Sequence, residues 1–304
     1  HLGALGAAGV LHAEGLWTRY DEPGPLLAEI ATLTGAQATA RLQEIYAEPV
    51  KPELVRDRVE EIKATGATTA IAVTPQRTEA LAELILKAEP DLLVIQGTVV
   101  SAEHVSKAVE PLNLKSFIRR FEIPVIVGGS TSYQGALHLM RTGAAGVLVG
   151  AGSGAETTIR EVLGVGIPTA TAIADARAAR MRHLDETGVY VHVIANGGMA
   201  TGGDIAKAIV CGADAVVLGA PLAAADDAPG RGFHWGMPAV HAALPRGHRI
   251  AVEPVGTLEE ILFGPGHGGD GRRNLMGALR QSMALTGYAT VKELQNADLV
   301  VLAR

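Results

Sequence analysis

The 304-residue chain has a single cysteine, Cys211, which excludes a disulfide framework and a multi-cysteine zinc site. Aromatic residues make up only 4%, so any core must be built from aliphatic side chains. No run of 18 apolar residues occurs, so no membrane-spanning helix is expected. The opening residues His1-Leu2-Gly3-Ala4-Leu5-Gly6 carry no basic region and no cleavage site. A secretory leader is therefore not expected and a cytoplasmic location is. Charge of one sign is not concentrated anywhere: 26 Lys and Arg stand against 32 Asp and Glu, for a net charge of −6. Without a basic stripe, neither nucleic acid nor an anionic membrane is an expected partner. Apolar residues reach 48%, too many for a disordered chain.

What the chain has in excess is glycine, 37 residues, placed mostly after short apolar runs. Seven such runs, rich in Val, Ile and Leu, span 8–12, 69–73, 92–96, 124–127, 146–150, 189–195 and 215–219. Their length and continuity fit strands buried on both faces of a parallel sheet. Amphipathic segments lie between them at 26–33, 37–47, 53–64, 79–88, 102–109, 135–142, 172–185 and 205–210, with closing helices at 256–263, 275–285 and 291–294. Asp204 reads as the N-cap of the segment at 205–210 and Gly212 as its stop. Strand and helix in alternation predict an α/β fold. An open doubly wound sheet is one form of it. The sequence after the first strand, His12-Ala13-Glu14-Gly15-Leu16-Trp17, lacks the Gly-x-Gly-x-x-Gly signature of that form. Glycines after many strands suit a ring of loops around one site, so a TIM (β/α)8 barrel is the preferred reading. Only seven strands are found; the first strand of such a barrel would precede His1. One domain over 1–304 is expected, with a Gly- and Pro-rich loop from 225 to 240 inside a flap-like region at about 225–255.

Four glycine-bearing segments carry the candidate chemistry. Asn196-Gly197-Gly198-Met199-Ala200-Thr201-Gly202-Gly203-Asp204 follows a strand and opens a helix, and Leu218-Gly219-Ala220-Pro221 follows the next strand. Two adjacent loops of this kind, at the inferred seventh and eighth strands, fit a phosphate site. Tight turns alone are the plainer alternative. Gly150-Ala151-Gly152-Ser153-Gly154-Ala155-Glu156-Thr157-Thr158 can bend sharply and move, or serve as a surface loop. Gly230-Arg231-Gly232-Phe233-His234-Trp235-Gly236-Met237 concentrates scarce aromatics. It can stack on a flat base and close over a site, or form a satellite apolar cluster. His104, His138, His183 and His241 have no ligand spacing. Asp226-Asp227 reads as solvated, and Arg246-Gly247-His248-Arg249 as a surface turn.

Together these motifs resemble the IMP dehydrogenase/GMP reductase family. The likeness is carried by VIANGGMATGGDIAKAIVCGADAVVLGAPLA (193–223), TTIREVLGVGIPTATAIADA (157–176) and GALRQSMALTGYATVKELQ (277–295). EGLWTRYDEP (14–23), DLLVIQGTVVSAEHVS (91–106) and GRGFHWGM (230–237) resemble the IMP dehydrogenase-related subgroup of actinobacteria and cyanobacteria. The resemblance implies a barrel that assembles as a homo-oligomer, a tetramer or octamer. It implies a purine nucleoside monophosphate as ligand, in the IMP, GMP and XMP class, and NAD or NADP as cofactor. Thr157 falls at the nucleophile position, with Thr158 beside it. Asn196, Gly197, Gly198, Gly219, Ala220, Gly236 and Met237 match substrate-binding positions, and Gln96, Gly128, Gly129 and Gly150 match cofactor-binding ones. The carbonyls of Gly150 and Gly152 match those that can hold a monovalent cation such as K+. The family's inserted regulatory (CBS-type) domain has no room between residues 34 and 66.

Three positions depart from the family pattern. Thr157 replaces a cysteine; a Thr hydroxyl is not ionised near neutral pH, so covalent attack on the purine is not expected. Asn196 replaces an aspartate that accepts two ribose hydroxyls, and Ala220 replaces a phosphate-contacting serine. The expected activity is therefore an NAD(P)-dependent purine nucleotide oxidoreductase, with a catalytically impaired nucleotide-binding homologue as the alternative. A barrel enzyme acting on another phosphorylated ligand is a third reading.

Overall fold

The apolar runs form seven short strands, with helices taking up most of the chain between them. A computed structural model describes residues 1–102, 111–235 and 249–301. The strands are β1 (Val10–His12), β2 (Ala70–Val73), β3 (Leu92–Gln96), β4 (Val125–Ser130), β5 (Gly146–Val149), β6 (His192–Asn196) and β7 (Ala215–Val217). They pair in sequence order, every pair parallel. Among the described residues β7 and β1 do not pair. The sheet is thus a TIM-barrel-like α/β fold lacking one strand, curled with helices outside. Val10, on the open edge, is 48% exposed.

Two apolar layers follow from the two faces of the strands. Leu93, Ile95, Val125, Val127, Val147 and Val193 point outward into the main core against the helices. Ala72, Val94, Leu148 and Ile194 point inward and fill the lumen. A third cluster of Leu16, Leu27, Ile30, Leu42, Ile45 and Tyr46 is built by a 3-10 turn at Leu16–Thr18, α1 (Gly24–Thr32) and α2 (Gly35–Ala47). With α3 (Pro52–Ala64), these helices occupy the segment between β1 and β2.

Most helices lie where the periodicity puts them: α4 (Thr78–Ala88), α6 (Tyr133–Met140), α8 (Thr169–Thr187), α9 (Gly202–Cys211), α11 (Leu258–Phe263), α12 (Leu275–Thr286) and α13 (Val291–Leu294). The helix expected at 102–109 falls almost wholly outside the described residues. Three short helices carry no periodic signal: α5 (Leu114–Ile118), α7 (Ile159–Leu163) and α10 (Ala220–Ala223). One expectation is corrected at α9. Its N-cap is Thr201, whose side chain accepts from the Asp204 amide, while Asp204 is the third helical residue and closes a capping box. Asp204 also accepts from the Thr201 and Ala200 amides, so an acidic side chain in the first turn mimicked a cap in sequence. Gly212 does end the helix.

A second correction concerns 225–240. It is not all loop: β8 (Phe233–Trp235) pairs antiparallel with β9 (Arg249–Ala251). Three residues are too few to register as a strand in sequence. Arg249, expected on a surface turn, is instead a tether. It donates to the Ile30 and Leu33 carbonyls at 2.6 Å each and lies 3.9 Å over the Phe233 ring. Trp235 packs on the third cluster.

Candidate functional site

Strand register decides which side chains meet at the C-terminal mouth of the sheet. His12 is level with Ala72 on β2, and Ala72 with Val94 on β3. Ala72 and Val94 are lumen residues, so His12 points into the lumen with them. Gln96 lies two residues beyond Val94, and Asn196 two beyond Ile194. The last residues of β1, β3 and β6 therefore all direct polar side chains into one mouth. Of these three, the sequence reading named Gln96 and Asn196 and missed His12; the only signal for it was its place at the end of an apolar run.

Around this mouth lie the glycine loops. Gly128 and Gly129 are inside β4 rather than in a loop beyond it. The Gly129 amide donates to the Gly97 carbonyl at 2.9 Å, and the Gly97 amide to the Gly128 carbonyl at 2.8 Å. A Cβ on Gly129 would lie 2.7 Å from the carbonyl oxygens of both Gly150 and Thr98, so the bare backbone is what lets β4 and the loop after β5 approach. The Gly150 amide donates to Ser130 at 2.9 Å.

The loop after β5 folds across to the loop after β6. Ser153 Oγ donates to the Asn196 carbonyl at 3.2 Å. A Cβ on Gly197, whose φ is 82°, would lie 2.9 Å from Ser153 Oγ and 3.2 Å from the Gly154 amide nitrogen. Thr157 and Thr158 are half-buried in the same loop. The Thr157 hydroxyl oxygen accepts from the Ile159 amide at 3.4 Å, and Thr158 precedes α7 as its N-cap residue without a side-chain cap bond.

The flap closes the third side. His234 Nε2 lies 3.5 Å from Glu156 Oε2, with both side chains 18% exposed. The bond to His234 is the main cause that holds the Glu156 carboxyl below the ordinary value, against an opposing effect of burial. A Cβ on Gly219 would stand 3.3 Å from the His234 ring, so the imidazole rests on the second glycine loop, beside Ala220 at the start of α10. His234 and Trp235 thus divide the two roles considered for them, one over the site and one in the satellite cluster. Glu156 was not singled out in sequence, since a lone carboxylate in a glycine loop carries no pattern. Gly236 and Met237 lie outside the described residues, as do His104, His241, Arg246, Gly247 and His248.

Other candidates stand apart from the mouth. Cys211 is the last residue of α9, the helix that begins just after the Asn196 loop, so it lies at the far end from the mouth. It is half-buried, and burial pushes its thiol up. His183 is a buried helix residue, and Asp227 pairs with His1 at the surface. Among the described residues no group of three or more His, Cys, Asp or Glu is placed to hold a metal ion, and no helix is long and apolar enough to cross a membrane. A monovalent cation at Gly150 and Gly152 would rest on backbone carbonyls alone.

Residues 32–241 match the IMP dehydrogenase / GMP reductase domain family. An uncharacterized oxidoreductase of Mycobacterium leprae is 49% identical, over 99% of this chain and 82% of that one. The crystal structure of an IMP dehydrogenase/GMP reductase-like protein from Corynebacterium glutamicum superposes with TM-score 0.91 at 43% identity, covering 99% of this chain and 80% of that one. A GMP reductase C318A from Trypanosoma brucei, in complex with guanosine 5'-monophosphate, superposes with TM-score 0.58 at 28% identity, covering 74% and 48% of the two chains.

Proposed function

The chain belongs to the IMP dehydrogenase / GMP reductase family, and from that premise we propose that it binds a purine nucleoside monophosphate and a nicotinamide dinucleotide and moves a hydride between them. The observation that carries this reading is the meeting of the two glycine loops with the Thr157 loop at one mouth: Ser153 on Asn196, and His234 between Glu156 and Gly219. Bare amides at Gly197, Gly198 and Gly219 suit a phosphate. Asn196 at the end of β6 can both donate to and accept from ribose hydroxyls. Ala220 adds no side-chain contact there, so backbone carries that part of the recognition. Gly236 and Met237 are proposed for the base.

The dinucleotide fits the opposite side of the mouth. Gln96 offers a carboxamide there, and the missing side chains of Gly129 and Gly150 let the backbone of β4 and of the loops after β5 and β6 close up beside it. A nicotinamide, when bound, supplies the hydride acceptor or donor. What the chain supplies is position, exclusion of water by the flap, and polar groups around the reacting ring. The oxidoreductase is proposed to act as a cytoplasmic homo-oligomer.

A second reading follows from Thr157. Its hydroxyl oxygen is engaged by the Ile159 amide, an arrangement that caps a turn rather than activates a nucleophile. This favours a chain that binds nucleotide with little or no turnover. One set of measurements separates the two. The protein is mixed with GMP plus NADPH, and with IMP plus NAD, and the nicotinamide absorbance is followed while calorimetry records binding. Turnover in either mixture supports hydride transfer. Binding without turnover supports the second reading, and Thr157→Cys should then raise the rate. No purine nucleotide binding at all overturns both.

A further inference from the structure

His12 carries a buried polar atom without a hydrogen-bond partner. It is the last residue of β1, 8% exposed, and directed into the lumen by its register with Ala72 and Val94. The Glu14 amide donates to its Nδ1 at 3.2 Å. In the neutral ring the single proton therefore sits on Nε2, which becomes a donor. Nε2 is buried and has no hydrogen-bond partner. The nearest carboxylate in sequence is turned to another partner: Glu14 Oε2 accepts from the Thr74 amide at 2.8 Å and Oε1 from the Thr74 hydroxyl at 3.1 Å. Buried donors in folded proteins nearly always find an acceptor. This one sits at the C-terminal mouth, where barrels place their ligands.

We propose that His12 is a ligand-binding residue, whose Nε2–H donates to a ring-borne carbonyl oxygen of the molecule held at the mouth. The proposal rests on the function proposed above, which offers two sources of that acceptor: the carboxamide of a nicotinamide, and the 6-carbonyl of a hypoxanthine or guanine ring. Both present an oxygen acceptor in or near the plane of a flat ring, which a buried imidazole edge can meet. A purine with a 6-amino group presents a donor instead and would leave Nε2 unmatched.

The test uses the full chain labelled with 15N-histidine. NAD, IMP and AMP are titrated separately, with calorimetry run alongside. Nε2 of His12, assigned by comparison with His12→Ala, is expected to shift with NAD or with IMP, which identifies the source, and to stay in place with AMP. His12→Ala should weaken the ligand concerned about tenfold, while His12→Gln, which keeps an N–H near the Nε2 position, should restore most of the affinity. Ligands that bind with an unmoved Nε2 resonance overturn the proposal, as does an equal shift with AMP. If neither NAD nor IMP binds the unmutated chain, NADP and GMP are titrated in their place; if none of the four binds, the proposed function itself fails, and it does so before any variant is compared.

Discussion

Glu156 and His234 show how much one contact between two loops can control. Glu156 sits next to the Thr157 position, and His234 lies on the glycine of the second candidate phosphate loop. Their contact at 3.5 Å joins loop and flap across the mouth. The Glu156 carboxyl is held below its ordinary 4.5 chiefly by His234. A group whose pKa is lowered on folding contributes stability above the ordinary value and loses it as the pH falls through the lowered one. Glu156→Gln should therefore speed amide hydrogen exchange in 150–158 roughly fivefold at pH 6, for a contact of about 1 kcal/mol. The difference between variant and parent should vanish as the pH drops well below 4. Unchanged exchange at pH 6 would mean that the contact does not hold the loop.

At the scale of elements, α9 and α8 carry the site from behind. α9 begins just after the Asn196 loop and is fixed by the Thr201–Asp204 capping box. Thr201→Ala should cost about 1 kcal/mol of stability in urea unfolding. The next residue is tighter still. A Cβ on Gly202 would overlap Ala278 of α12 and come within 3.0 Å of the Leu275 carbonyl. Gly202→Ala should cost about 1–3 kcal/mol by overpacking and shift the Asn196 loop, lowering nucleotide affinity as well. α8 supplies Arg180, which is 1% exposed and donates to Asp214 at 2.6 Å. Asp214 also accepts from the Tyr190 hydroxyl at 2.6 Å, the Val193 amide at 2.9 Å and the Gln295 amide at 3.1 Å. That cluster ties the C-terminal helix α13 region to the start of β7. Arg180→Met removes one partner of a half-buried carboxylate that keeps Lys292 at 3.6 Å and its other donors, and about 1–3 kcal/mol of stability should be lost in thermal unfolding.

Across the whole molecule, acid should act through the same carboxylates. Burial raises the Asp214 pKa, but its bonds to Tyr190, the Val193 amide and Arg180 outweigh that and leave it below 3.8. Asp91 and Glu186 are lowered by their hydrogen bonds to Thr69 and to Arg141 and Arg182. Each stabilises the fold above its ordinary value and ceases to as the pH falls through its lowered one. The urea midpoint should drop between pH 6 and pH 3, and Asp214→Asn should show a smaller drop from a lower starting point. A midpoint that holds to pH 3 would mean that these bonds contribute little.

The strands, their parallel order and the ring of loops were legible in sequence because each rests on local pattern: continuous apolar runs, helical periodicity, glycine at turns. The family was legible for the same reason, since its motifs are contiguous stretches such as 193–223. The ends of the apolar runs put Gln96 at the close of one strand and Asn196 just beyond another, and the family resemblance gave both their roles. Short elements were not legible: α7, α10 and β8 have too few residues for periodicity to register, and what holds β8 is Arg249 reaching α1 from a distant part of the chain. Nor were the contacts that define the site. The pairing of Glu156 with His234, and of Ser153 with Asn196, joins loops 78 and 43 residues apart. The orphaned donor on His12 exists only because register turns it inward and folding removes the water that would have met it. The sequence by itself determined the strands and glycine loops that surround the mouth; only the tertiary structure decided which side chains meet there, because contact between loops is set by packing across the fold and not by spacing along the chain.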